Sequence, residues 1–157
     1  MRILVVSDSH GNSRVLKEII SSKPDIDHIF FLGDVTRDID IAMDEIPDRK
    51  YHIVSGNCDY SSVYPAADLA IINGTKIFFT HGHNHFIKFT NELILKEASE
   101  KECAIALCGH THIPDILYEN GIYLVNPGSC SKPRGSKPTY AVIDITDKGI
   151  MPVIVEI

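Results

Sequence analysis

The chain has 157 residues, 21 acidic against 15 basic side chains, a net charge of -6 and 44% hydrophobic content. That is the size and balance of one globular domain over residues 1–157, and it excludes disordered and fibrous classes. The acidic balance argues against stable nucleic-acid binding, which needs a basic stripe, and no apolar run approaches the roughly 20 residues of a membrane span. The run Ile3–Val6 is too short for a signal-peptide core and no small-residue cleavage site follows it, so a cytoplasmic protein is expected. Cys58, Cys103, Cys108 and Cys130 form no Cys-x-x-Cys pair and read as free thiols in a reducing compartment.

In chain order, residues 2–6 read as a buried strand. Residues 13–22 follow as a helix with Val15, Leu16, Ile19 and Ile20 on one face and Asn12 as its N-cap. Ile29-Phe30-Phe31-Leu32 is the next strand, 37–46 the next helix and Tyr51–Val54 a third strand. This alternation predicts crossover units and parallel pairing. The second half changes to hairpins. Asn73-Gly74, Asn120-Gly121 and Asp147-Lys148-Gly149 each separate two apolar runs, and these residues tolerate the positive φ of tight turns. A helix near 88–101 interrupts the hairpins, and Pro127–Pro138 reads as one long functional loop. The final run Val153–Ile157 reads as an unprotected edge strand on which a homodimer is conceivable. The sum is an α/β layered domain, with one mixed sheet or two packed sheets and helices outside.

Five apolar runs each lead into a short polar cluster: Ser7-Asp8-Ser9-His10, Gly33-Asp34, Ser55-Gly56-Asn57-Cys58-Asp59, Thr80-His81-Gly82-His83 and Gly109-His110-Thr111-His112. Ligands bind at the C-terminal edge of the strands in open α/β sheets, so parallel neighbours would bring these clusters to one patch. The patch would hold two carboxylates, one amide oxygen and at least four imidazoles. Mixed nitrogen and oxygen donors suit Mn, Fe, Zn or Ni better than Mg or Ca. Seven donors are too many for one tetrahedral ion and fit two ions sharing a carboxylate. Each cluster alone has an ordinary explanation as a strand-end turn; their recurrence at five strand ends points to a metal site. The glycines before Asp34, Asn57 and His110 would let the backbone turn sharply there. His28 and His52 flank strands away from the clusters, and His85 is expected to be exposed.

Taken in order, Asp8-x-His10, Gly33-Asp34, Gly56-Asn57-Cys58-Asp59, His81 and Gly109-His110-Thr111-His112 resemble the calcineurin-like metallophosphoesterase superfamily. The match runs from residue 1 to about residue 130 and is closest to the small single-domain prokaryotic phosphodiesterases. The resemblance implies a four-layer α/β sandwich, two mixed β-sheets flanked by helices, with a binuclear metal centre. It assigns Asp8, His10, Asp34 and His112 to one divalent ion, and Asp34, Asn57, His81 and His110 to the second. Manganese is the first expectation, with nickel, iron or zinc as alternatives. The implied activity is hydrolysis of a small phosphate ester, foremost a phosphodiester, by in-line attack of a hydroxide bridging the two ions. The alternatives are a phosphomonoesterase, or a non-catalytic metal-binding scaffold of the same fold, as in a retromer subunit that serves chiefly as a binding platform.

Cys58 departs from the family pattern. Many members place there a histidine that pairs with an acid and protonates the leaving group, and a thiol is a poorer partner for Asp59. His83, which alternates with His81, is therefore the candidate proton donor alongside Cys58, and a metal-bound water is the third option. Asn12 and Arg134 are candidate substrate contacts. Asn12 competes with its own role as a helix cap, and Arg134 lies in a basic cluster with Lys132 and Lys137 that also reads as a solvated loop.

Overall fold

The computed structural model describes residues 1–157. The first half forms β1 (Arg2–Val6), α1 (Ser13–Ser21), β2 (His28–Phe31), α2 (Thr36–Glu45) and β3 (Lys50–Ile53). A hairpin of β4 (Ala67–Ile72) and β5 (Thr75–Thr80) leads through a 3-10 turn, His83–His85, to α3 (Glu92–Glu100). The remaining strands are β6 (Ile105–Leu107), β7 (Pro114–Glu119), β8 (Ile122–Pro127), β9 (Thr139–Thr146) and β10 (Gly149–Glu156). All three hairpin turns fall where Asn-Gly or Asp-Lys-Gly marks them.

The strands build two mixed sheets of five, ordered β10-β9-β1-β2-β3 and β4-β5-β6-β8-β7. In the first, β1, β2 and β3 run parallel and β9 pairs antiparallel with β1. In the second, β5, β6 and β8 run parallel between antiparallel edges β4 and β7. Side chains alternate across each strand, so a continuous apolar run is buried on both faces. Ile3, Val5 and Phe30 meet Ile77, Phe79 and Leu107 between the sheets. Leu4, Val6 and Phe31 point the other way, onto Leu16, Ile20 and Ile39 of α1 and α2. Phe78, Ala106 and Leu124 likewise cover Ile94 and Ala98 of α3. The result is four layers, helix-sheet-sheet-helix. Each of the larger side chains buried this way contributes about 1.5–3 kcal/mol.

Two expectations are corrected. The third helix starts at Glu92 and not near residue 88, because Gly82 and Phe86 both adopt the left-handed conformation and close a tight turn around His83–His85 that no helix can extend. His85 is not exposed: its Nε2 lies 2.8 Å from Glu97 on α3 and its ring meets Phe78 edge-on. β10 does lie at a sheet edge, and it carries Pro152, which lacks the N–H that edge pairing would use.

His28 and His52, on neighbouring strands β2 and β3, are stacked with Nδ1 of His28 3.0 Å from Nε2 of His52. His52 also stacks on Phe30 at 4.4 Å and meets Phe79 edge-on. Burial, then His28, push His52 down to about 4, with Lys50 lowering it further and Asp68 opposing. The folded ring therefore stays neutral where the unfolded one, titrating near 6.5, is already protonated. The unfolded chain binds the extra proton, so stability falls as pH drops from about 6.5 to about 4. Partial exposure of the ring screens this to about 1 kcal/mol. The loss of urea resistance between about pH 7 and pH 4.5 is expected to be smaller in His52→Phe, which keeps the stack; an equal loss would show that the pair carries none of the acid sensitivity.

Candidate metal centre

The parallel strands β1, β2 and β3 of one sheet and β5 and β6 of the other all release their chains at the same edge of the sandwich. Asp8 follows β1 and is fully buried. Its Oδ2 accepts from Ser7 Oγ at 2.6 Å and from the His110 N–H at 3.1 Å. Its Oδ1 is buried and has no hydrogen-bond donor. His112 Nδ1 lies 2.6 Å from the Lys132 carbonyl, which only accepts, so the proton sits on Nδ1 and a bare Nε2 faces Asp8 Oδ1 at 3.2 Å. His10 Nε2 completes this group, 3.1 Å from His112 Nε2 and 3.5 Å from Asp34 Oδ2. The ligand atoms of Asp8, His10, Asp34 and His112 all lie within 4.8 Å of one another, a possible metal site.

A second group forms on the other oxygen of Asp34. His81 Nδ1 lies 2.7 Å from the Leu32 carbonyl, which fixes its proton in the same way. The bare Nε2 then faces Asn57 Oδ1 at 3.2 Å, His110 Nδ1 at 3.2 Å and Asp34 Oδ1 at 3.5 Å. In both groups lone pairs converge on lone pairs, an arrangement that only a proton or a metal ion between them makes favourable. The protons respond accordingly. Burial opposes ionisation of Asp8, but a second proton on His112, carried on Nε2, would be shared with Asp8 Oδ1, and that bond together with the His81 charge holds the Asp8 carboxyl below the ordinary range. Asp8 raises His112, whereas burial lowers His10 and pushes His110 down to about 4. The donor set, two carboxylates with imidazoles and one amide oxygen, fits a borderline divalent ion.

Five of these side chains sit on a left-handed backbone: Asp8, His10, Asp34, His110 and His112, with φ between 45 and 68°. Such strain gathers where a site over-determines the chain. The glycines act differently from one another. Gly33 has φ 93 and supplies the expected sharp turn. Gly56 and Gly109 have no positive φ; a Cβ would strike Asp34 Oδ1 at the first and Ser7 Oγ at the second, so glycine is there for close approach.

Of the other candidates, His83 is half-buried with its ring 5.4 Å from His81 and 6.1 Å from His110, facing the same cleft. Cys58 is exposed, its N–H donates to Asp34 Oδ1 at 2.9 Å, and burial and Asp34 push its thiol up. Asn12 caps α1, its Oδ1 accepting the Val15 N–H at 3.2 Å, which commits that oxygen to the helix and not to a substrate. Arg134 is exposed beside the centre, and its backbone N–H donates to the His112 carbonyl at 3.0 Å. Lys137 is turned away, paired with Glu156.

Asp59 does not pair with residue 58 at all. Its Oδ2 accepts the N–H groups of Asp34 at 3.0 Å and Gly56 at 2.7 Å, and its Oδ1 those of Val35 at 2.9 Å and Thr36 at 2.7 Å. It thus caps α2 from another loop and fixes the backbone on which Asp34 and Asn57 stand. The sequence holds no clue to this: a helix read from residue 37 has Thr36 as an ordinary N-cap, and only the structure starts α2 one residue earlier and puts Val35, which cannot cap, at that position.

Residues 1–148 match the model of the calcineurin-like phosphoesterase superfamily domain. A probable metallophosphoesterase of Bacillus subtilis, YsnB, is 31% identical over 147 residues, 92% of this chain and 85% of that protein. The Escherichia coli phosphodiesterase YfcE is 24% identical over 169 residues, 92% of this chain and 88% of that protein. The crystal structure of a conserved Streptococcus pneumoniae protein, described as a predicted phosphoesterase, superposes with a TM-score of 0.88 at 33% identity, covering 99% of this chain and 88% of that one.

Proposed function

The chain belongs to the calcineurin-like phosphoesterase superfamily, and from that premise we propose that it is a divalent-metal-dependent phosphodiesterase with a two-ion centre. Asp8, His10, Asp34 and His112 would hold one ion, and Asp34, Asn57, His81 and His110 the other, with Asp34 shared. The observation that carries this is the convergence of the bare Nε2 atoms of His81 and His112 on carboxylate and amide oxygens. Bound there, the ions supply an acidified water and offset the negative charge that builds on phosphoryl oxygens. The donor set suits manganese, and nickel, iron or zinc as well.

The chain's own residues would do the rest. Lys132 and Arg134 border the Asp8 group and offer positive charge to an incoming phosphate ester; each charge is felt by a histidine of that group. On the opposite side His83 lies beside His81 and His110 and would hand a proton to a departing alkoxide; burial, then His81, lower its pKa, which makes its charged form a stronger acid and a scarcer one. The Cys58 thiol is held protonated and contributes its backbone N–H to Asp34. A small ester suits the acidic surface better than a nucleic-acid strand, since the net charge is -6.

The test is hydrolysis of bis(p-nitrophenyl) phosphate and p-nitrophenyl phosphate by protein stripped with chelator and reloaded with manganese, nickel, zinc or magnesium. Turnover is expected only after reloading, and faster with the diester. A preference for the monoester would make the protein a phosphatase. Stoichiometric metal binding without turnover of either ester would overturn the enzyme reading.

A further inference from the structure

The loop between β5 and α3 is fastened on one side and bare on the other. Ile87, 8% exposed, is wedged in the layer beneath α3, and its Cγ2 would lie 3.0 Å from a Cβ added at Gly82. His85 ties the loop to Glu97 of α3. With these two side chains pinned inward, their neighbours point out: Phe86 is 60% exposed, Phe89 is 87% exposed and Lys88 is exposed. Neither phenylalanine belongs to any of the three apolar clusters that hold the fold together. Phe86 also has φ 53, a conformation that glycine would hold without strain and that is an outlier for a bulky side chain. Lys88 is absent from the ion pairs that engage Lys17, Lys76, Lys96, Lys101 and Lys137. The same loop carries His83 to the edge of the centre, its ring 6.1 Å from that of His110, and backbone bonds tie the patch to it: the Phe86 N–H donates to the His83 carbonyl at 3.3 Å and the Phe89 N–H to the Phe86 carbonyl at 2.8 Å.

We propose that Phe86, Lys88 and Phe89 form a subsite for a flat aromatic ring on the substrate, a nucleobase foremost, on the His83 and His110 side of the centre. The subsite rests on the phosphoesterase reading above and narrows its substrates to ring-bearing phosphate esters. Base stacking on an aromatic side chain removes water from both faces and tolerates any base. A phosphate site beside two uncovered phenylalanines and an unpaired ammonium matches a ligand that is anionic at one end and flat and apolar at the other. A purely apolar partner would leave Lys88 without a counter-charge.

Isothermal titration of zinc-loaded protein with adenosine 5'-monophosphate and with ribose 5-phosphate tests this, since the two differ only by the base. The nucleotide is expected to bind about tenfold tighter. Phe89→Ala, at a position that supports no packing, and Phe86→Gly, which keeps the left-handed turn and is expected to raise Tm, should each shrink that ratio without changing the affinity for ribose 5-phosphate. Lys88→Ala should weaken both ligands alike. Equal binding of the two ligands by wild type, or a nucleotide preference that survives both phenylalanine substitutions, overturns the subsite alone. Failure of both compounds to bind the metal-loaded protein overturns the subsite together with the phosphoesterase reading.

Discussion

Asp34→Asn is expected to lower metal-restored turnover of bis(p-nitrophenyl) phosphate by about a thousandfold, while the metal-free protein unfolds at the same temperature or a higher one. Asp34 is the one side chain that addresses both donor groups, Oδ2 toward His10 and Oδ1 toward His81, each at 3.5 Å. An amide keeps the Oδ1 that accepts the Cys58 N–H, so the local backbone has no reason to move. It cannot offer a second anionic oxygen, and one of the two proposed ions loses its ligand. Stability runs the other way because Asp34, 2% exposed, and fully buried Asp8 both crowd the Nε2 of His10, at 3.5 and 3.9 Å. Two buried carboxylates with too little positive charge between them repel, and neutralising one relieves that. Turnover within tenfold of wild type, together with unchanged metal stoichiometry, would remove Asp34 from the centre.

Asp59 is predicted to matter nearly as much without touching a metal or a substrate. Removing its carboxylate in Asp59→Ala leaves four backbone N–H groups without their acceptor, among them those of Asp34, Val35 and Thr36 at the start of α2. Hydrogen bonds to a charged acceptor and the helix dipole both weigh here, and the loss is expected to be about 3 kcal/mol. Asp59→Asn should cost nearly the same, since every partner is a donor and the amide nitrogen would confront two of them. Urea denaturation measures the first effect. Titration with manganese measures the second, a tenfold or greater weakening as Asp34 and Asn57 lose their fixed backbone. If Asp59→Asn unfolds and binds metal like wild type, the carboxylate is not the clamp its geometry describes.

The candidate ligands were legible because each follows an apolar run. Such runs are strands, parallel strands release their chains at one edge, and donor-type residues at five such ends needed no side-chain geometry to be noticed. The layers were legible for a related reason: runs such as Ile3–Val6 and Ile77–Phe79 are apolar at every position, which requires cover on both faces. Asp59 was not legible, because three of its four partners lie 23 to 25 residues away on a neighbouring loop, and local spacing says nothing of pairing across strands. The glycines were half legible. A turn is written in the local sequence, as at Gly33, but the close approach of Gly109 to Ser7 depends on two sheets meeting. Residues 88–91 were misread as the start of the third helix because a left-handed Phe86 is not something composition announces.

The two sheets divide the centre between them. Asp8, His10, Asp34 and Asn57 hang from the β1–β3 side, and His81, His110 and His112 from the side of β5 and β6. Distances such as His10 to His112 and Asp34 to His81 are therefore measurements of how the sheets are set against each other. What sets them is the inner layer, where Phe30 meets Phe79 edge-on at 5.1 Å and Ile3, Val5 and Leu107 fill the gap. That layer acts as a gauge block for the chemistry above it. Thinning it by a methyl group lets one half of the centre settle toward the other by a fraction of an ångström, and the proposed two-ion site would have little tolerance for that. Precision at the rim is thus machined in the interior, by side chains that no substrate ever meets.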